Sequence, residues 1–251
     1  MMRYFIELAY DGSAYHGWQA QPGSRSVQEQ VELGLKYKAG LPGRITGCGR
    51  TDAGVHARQF YAHFDLEIEL DVAGLDDVVK ELNNFLNKDI VINRIFTVNT
   101  GAHARFDAVS RTYTYHIAVS KNPFNRLYVW YWYVRPDLNL MNEAASILLD
   151  YYDFTSFSKL HTDVKTNTCR ITHAQWTEQD NTITFSITAD RFLRNMVRAI
   201  VGTLIDVGRG KISIDGFKKI VESKNRQNAG ISVPANALFL DRVEYDWSKI
   251  L

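Results

Sequence analysis

Strand-like and helix-like runs alternate along the whole chain, and that alternation restricts the fold more than any other feature. RYFIELAY (3–10) is rich in strand formers and closes on the turn signal Asp11-Gly12. Ser26-Val27-Gln28-Glu29 is a capping box, in which the Ser26 side chain accepts from the Glu29 backbone N–H. It opens a helix that carries Val27, Val31 and Leu35 on one side and ends near Gly40. Residues 55–68 read as extended. Residues 75–87, with Leu75, Val78, Val79, Leu82 and Leu86, read as helix, and IVINRIFTV (90–98) as strand. The second part repeats the mixture. SRTYTYHIAV (110–119) alternates with period two, and VWYWYV (129–134) is an aromatic strand candidate. A helix is expected around 140–150 and strands at 170–177 and 181–189. RFLRNMVRAIVGTLIDVG (191–208) reads as one long helix closed by glycine. A short helix at 213–223 precedes a last strand, ALFLDRVEY (237–245). The expected fold class is α+β: two similar mixed α/β halves with antiparallel sheets that meet at a central active-site cleft. The halves are 1–105 and 106–251, and no Pro/Ser-rich linker separates them.

The 251 residues are enough for a sizeable core. Charge is balanced, 29 Lys and Arg against 28 Asp and Glu, so the molecule is not a polycation. The distribution is uneven. Residues 65–89 are acidic, whereas arginines gather at 44, 50 and 58, at 105 and 111, and at 191, 194 and 198. Such segments can line a basic surface in a near-neutral chain, although solvated or paired arginines are the commoner outcome. The two cysteines, Cys48 and Cys169, make no disulfide framework and no four-thiolate zinc site. Cys48, His56 and His63 match no metal-site spacing, so a core cysteine and two polar histidines are expected, with no metal. MMRYFIELAYDGS turns polar too early for a signal peptide, and no apolar run would span a bilayer. A cytoplasmic protein without membrane association is expected.

Residues 47–57, GCGRTDAGVHA, set one carboxylate, Asp52, among an arginine, a threonine and three glycines. In isolation T-D-A-G is a turn whose aspartate bonds its own backbone. The whole stretch, however, resembles the signature of the tRNA pseudouridine synthase A family. YDGSAYHGWQ (10–19) and SVQEQVE (26–32) resemble that family's opening, and HARFDA (103–108) and RTYTY (111–115) its middle. DFTSF (153–157), FLRNMVRAIVG (192–202) and ALFL (237–240) resemble its end. The segments run in family order over nearly the whole chain. The chain departs from the family pattern at Arg58-Gln59-Phe60 and at 83–89.

The resemblance implies isomerisation of uridine to pseudouridine in the anticodon stem-loop of tRNA, at tRNA positions 38, 39 and 40. The N1–C1′ bond breaks, the uracil turns, and C5 bonds to C1′. No cofactor is consumed, and the sequence has no phosphate-cradling glycine loop or dinucleotide fingerprint. Asp52 is the implied nucleophile. It can act at C1′, at C6 of the ring or on the C2′ proton, and each needs an ionised, poorly hydrated carboxylate. Burial disfavours that charged form and a neighbouring cation restores it, a task open to Arg50 or to Arg198 of the FLRNMVR motif. Tyr113 aligns with the family's active-site tyrosine, whose ring stacks on the detached base, while Tyr115 is expected in the core. Leu238 packs against the flipped base, or is simply a core leucine. Arg191, Arg194 and Arg198 share one face if 191–208 is a single helix, with Phe192, Met196, Ile200 and Val201 on the buried side. With Arg58 and Arg105 they are the candidates for phosphate contact. The implied partners are tRNA and a second copy in a homodimer. A tRNA-binding protein of the same fold without catalysis is the alternative, but it would not need Arg50, Asp52, Tyr113 and Arg198 together. A glycosidase-like hydrolase would want a second carboxylate paired with Asp52.

Overall fold

A computed structural model describes residues 1–159 and 166–251. In chain order its helices and strands are β1 (Met2–Tyr10), α1 (Val27–Tyr37), β2 (Thr46–Gly47), β3 (His56–Leu66), α2 (Val72–Phe85), β4 (Ile90–Val98), β5 (Ala108–Ala118), β6 (Trp130–Tyr131), α3 (Leu138–Ile147), β7 (Ile171–Gln179), β8 (Thr182–Ala189), α4 (Met196–Gly208), α5 (Ile214–Glu222), β9 (Leu238–Tyr245) and α6 (Trp247–Ile250). The fold is mixed α/β with mostly antiparallel pairing. The chain divides into two compact units, Met1–Val109 with Leu240–Leu251, and Ser110–Phe239. The expectation ran the second half through to residue 251. Residues 240–251 instead belong with the first unit, because β9 is hydrogen-bonded beside β3.

In the first unit the strand order is β4-β1-β3-β9, and β1 lies antiparallel to both β3 and β4. Tyr4, Phe5, Ile6 and Leu8 of β1 are fully buried. Gln59 stitches three strands together: its Nε2 donates to Glu7 of β1 at 3.1 Å, and its Oε1 accepts from the Val243 N–H of β9 at 3.1 Å. The Ser26 cap of α1 is formed, with the Glu29 N–H donating to its Oγ at 3.3 Å. Val27, Val31 and Leu35 are the buried side. α2 starts three residues before the apolar pattern does, because the Asp71 carboxylate accepts from the Gly74 N–H at 2.8 Å and caps it. Gly34 of α1 lets the helices approach, since a Cβ there would stand 2.8 Å from Leu82 Cδ2.

In the second unit the order is β5-β8-β7, all antiparallel, and β6 adds two residues in parallel to the end of β5. Thus the 129–134 candidate forms a strand only at Trp130–Tyr131. The larger difference is at 191–208. The helix begins at Met196, and Asn195 before it is left-handed, with φ 66°. Asparagine tolerates that conformation and a helix does not continue through it, so 191–195 is a separate approach segment. Arg191 and Arg194 therefore share no helical face with Arg198. α4 is also buried almost all round, from Met196 through Val207, with only Arg198 and Asp206 partly exposed.

Candidate active site

Asp52 sits in a turn that two separate sequence segments build together. Its carbonyl accepts from the Val55 N–H at 3.1 Å, and Gly54 takes the left-handed φ of 78° that the turn requires. The Gly54 N–H donates to the Tyr15 carbonyl at 3.3 Å, and the Trp18 N–H donates to the Thr51 carbonyl at 3.3 Å. The Thr51 and Tyr10 hydroxyls are 2.9 Å apart and buried. The two segments touch backbone to backbone. A Cβ on Gly12 would collide with the Val55 carbonyl, and one on Gly17 with the Thr51 carbonyl. Gly17 is also left-handed, at φ 87°. The glycines of YDGSAYHGW are therefore there to admit the Asp52 turn. His56 Nδ1, at the foot of β3, lies 3.0 Å from both the Gly12 nitrogen and an Asp11 carboxylate oxygen.

Asp89 extends this support. Its carboxylate accepts from the Tyr15 hydroxyl at 2.6 Å, and its carbonyl accepts from the Asp11 N–H at 2.8 Å. Burial, then the Asp89 bond, push Tyr15 up to about 12, so it stays protonated as the donor. The departure at 83–89 has its own local logic. The Asn83 amide both donates to and accepts from the Ile92 backbone, at 2.9 and 2.8 Å, which fixes the end of α2 against β4.

The three glycines of GCGRTDAG do different work. Gly47 makes room for the Trp18 indole, Gly54 forms the turn, and a side chain on Gly49 would point into open space. Asp52 itself is half-buried, whereas Arg50 is exposed. Cys48 and His63 are buried, and His63 Nδ1 accepts from the Ala104 N–H at 3.2 Å. Burial, then the Arg3 charge and the His103 ring, hold His63 down to about 4, so it is a neutral core residue. Among the described residues no group of three or more His, Cys, Asp or Glu is placed to hold a metal ion.

The second unit positions Arg198 by a different device. Its Nε donates to the Val233 carbonyl at 2.6 Å, while the Val233 N–H donates to the Arg198 carbonyl at 3.3 Å. One turn further along α4, Gly202 admits the Ile231 carbonyl where a Cβ would collide with it. The Gly230 N–H donates to Thr203 Oγ1 at 2.8 Å. Ser232 accepts from the Asn195 amide and from Arg226, the latter at 2.9 Å. This 230–233 segment was not among the candidates, and its only sequence signal is the glycine pair Gly202 and Gly230.

Tyr113 and Tyr115 both lie on β5. Tyr115 is fully buried, with its hydroxyl donating to the Pro234 carbonyl at 3.0 Å, and burial pushes its pKa well up. It is the core tyrosine. Tyr113 is half-buried and sits edge-on to Phe192, with centroids 5.1 Å apart. Leu238 is buried at the start of β9. Arg58, exposed on β3, pairs with Asp241 at 2.6 Å, and Arg105 lies over the exposed Phe106 ring at 5.7 Å. Arg191 is half-buried beside Asp190, whose carboxylate accepts its backbone N–H at 2.7 Å, and Arg194 is exposed.

Comparison with known proteins decides what this assembly is related to. The chain is similar to tRNA pseudouridine synthase A of Bacteroides fragilis, 56% identical over 247 residues that cover 98% of this chain and 97% of the relative. The chain belongs to the tRNA pseudouridine synthase A family. Its likeness to tRNA pseudouridine synthase A of Bacteroides thetaiotaomicron is 55% over 248 residues, 98% of this chain and 91% of the relative. To that of Bacillus subtilis it is 38% over 251 residues, 98% and 100% of the two chains. A family model described as tRNA pseudouridine synthase matches residues 144–246, which includes Arg198 and Leu238. No helix among the described residues is long and apolar enough to cross a membrane.

Proposed function

We propose that this chain isomerises uridine to pseudouridine in tRNA, with Asp52 as the nucleophile. The observation that carries the reading is the placement of Asp52. In a member of this family, its carboxylate is borne on a turn clamped by glycine-permitted backbone contacts rather than on a free surface loop. Such pre-ordering suits a group that must meet a reacting atom without further reorganisation.

The reaction redistributes bonds within one nucleoside. The N1–C1′ bond breaks, C5 bonds to C1′, a proton leaves C5 and N1 gains one. Asp52 supplies the anionic oxygen for this exchange, and Arg198 or Arg50 supplies the cation that keeps it ionised. Removing such a cation from a poorly hydrated carboxylate costs on the order of 3–5 kcal/mol. Tyr113 stacks on the detached uracil and Leu238 packs against it. Extruding the nucleotide costs a few kcal/mol, which contacts to the flipped base and to phosphates offset. Arg58, Arg105, Arg191 and Arg194 serve the phosphates. The reading extends to a central cleft where the two halves share the substrate, to adjacent uridines of the anticodon stem-loop, and to a homodimer acting in the cytoplasm without a cofactor.

Pseudouridine mapping of tRNA from cells with and without the protein tests this. Loss of specific anticodon-arm pseudouridines, restored by purified protein on unmodified transcripts, is the expected result. An unchanged modification map, with no product on transcripts, would overturn it.

A further inference from the structure

Residues 121–136, KNPFNRLYVWYWYVRP, are not used by the chemistry above, yet they hold the densest exposed apolar surface among the described residues. Phe124 is 93% exposed and Tyr133 78%, and Leu127, Tyr131 and Val134 are also exposed. The segment is ordered by its own contacts. The Trp132 N–H donates to the Ala118 carbonyl at 2.9 Å, and Trp130 and Trp132 pack with centroids 4.6 Å apart. Trp132 and Tyr133 lie nearly parallel, and the Arg209 guanidinium stands 5.2 Å over the Trp132 ring.

Charge selects the occupant. The sixteen residues contain Lys121, Arg126 and Arg135 and no acid, in a chain that is otherwise balanced. Arg135 is paired with Glu178 at 2.8 Å, and Lys121 and Arg126, which bracket Phe124 in sequence, are exposed. A second copy in a two-fold interface would set this patch against itself, cation toward cation. A polyanion meets it with complementary charge. Aromatic faces interleaved with cations match the chemistry of unpaired nucleotides, whose bases stack on rings while their phosphates meet the charges.

We propose that segment 121–135 is a second tRNA-binding surface, on which unpaired bases of the substrate stack against Phe124, Tyr131 and Tyr133 and phosphates meet Lys121 and Arg126. This rests on the tRNA reading above and adds an anchoring site separate from the reacting nucleotide. The test uses the full chain, a tRNA transcript and a fully paired RNA duplex, with the double variants F124A/Y133A and K121A/R126A. For F124A/Y133A, tRNA affinity should fall about tenfold or more, with KM raised in step, kcat and thermal midpoint retained, and duplex affinity unchanged. For K121A/R126A, the slope of log affinity against log salt should shrink by about one to two. Wild-type binding and KM in both variants would overturn the surface. So would a fall in affinity that tracks dissociation of an oligomer in sedimentation, which would make the patch a protein interface. If wild-type protein makes pseudouridine while both variants bind normally, only this surface fails. If wild-type protein makes none on any tRNA, the functional reading fails first.

Discussion

The Asp52 turn and the Arg198 segment solve the same problem with opposite sequence signatures. Each fixes one charged side chain by bringing a second backbone closer than a Cβ would allow: Gly17 under the Thr51 carbonyl, and Gly202 under the Ile231 carbonyl. At Asp52 both strands of the contact are glycine-rich, and one glycine of each is left-handed. At Arg198 the contact is made on the side of a regular helix, against a 230–233 loop that has no left-handed residue. A left-handed glycine is strained by a β-carbon whatever the space around it, whereas a helical one loses only space. The first device should therefore be brittle and the second merely tight.

Gly17→Ala should have the largest effect. It adds backbone strain to a collision and displaces the turn, so pseudouridine formation should fall by about 100-fold or more, the scale on which a displacement near 1 Å is felt. Single-turnover assays on a transcript check this, and activity near wild type would show that the clamp does not position Asp52. Gly202→Ala should cost about 1–3 kcal/mol of stability in denaturant titration, as overpacking does, with a smaller loss of rate because the helix keeps its φ and ψ. A larger rate loss than for Gly17→Ala would reverse the comparison.

Tyr10→Phe should act more mildly. Removing the Tyr10–Thr51 bond should cost about 1 kcal/mol and slow the reaction only several-fold, because the backbone contacts still hold the turn. The smallest effect on activity belongs to a residue outside both devices. His63 is held down to about 4 by burial, Arg3 and His103, against an ordinary 6.5. Between those values the unfolded chain takes up a proton that the folded chain refuses, so stability falls as pH drops from about 6.5 to about 4. His63→Gln, which keeps an acceptor for the Ala104 N–H, should flatten that part of the stability–pH profile and leave neutral-pH activity unchanged. An unaltered slope would mean that other groups set acid sensitivity.

What was legible in the sequence follows the same division. The period-two run of β5, the Ser26 cap of α1 and the nine residues of β4 are local signals, and the strands and helix formed where those signals place them. The Asp52 turn was legible as a candidate because its glycines are close in sequence. Its true partners, Gly12 and Gly17, lie in YDGSAYHGW, where Gly12 reads as part of a turn signal and Gly17 only as part of the family's opening. The 191–208 helix was misread because its apolar spacing is helical throughout, while the break depends on one left-handed residue, Asn195, which spacing does not reveal. The support of Arg198 by Val233 joins residues 35 apart and leaves no local trace. The aromatic content of VWYWYV suggests a full strand, yet only Trp130–Tyr131 pair; beyond them Trp132 is half-buried and Tyr133 exposed.

In the proposed reaction a single carboxylate, held by this clamp, carries the chemistry. Asp52→Asn keeps the side-chain shape and removes the charge. Single-turnover measurement of pseudouridine formation on a bound tRNA transcript should show no product, while tRNA affinity and thermal midpoint stay close to wild type. Product at the wild-type rate in that variant would contradict the account.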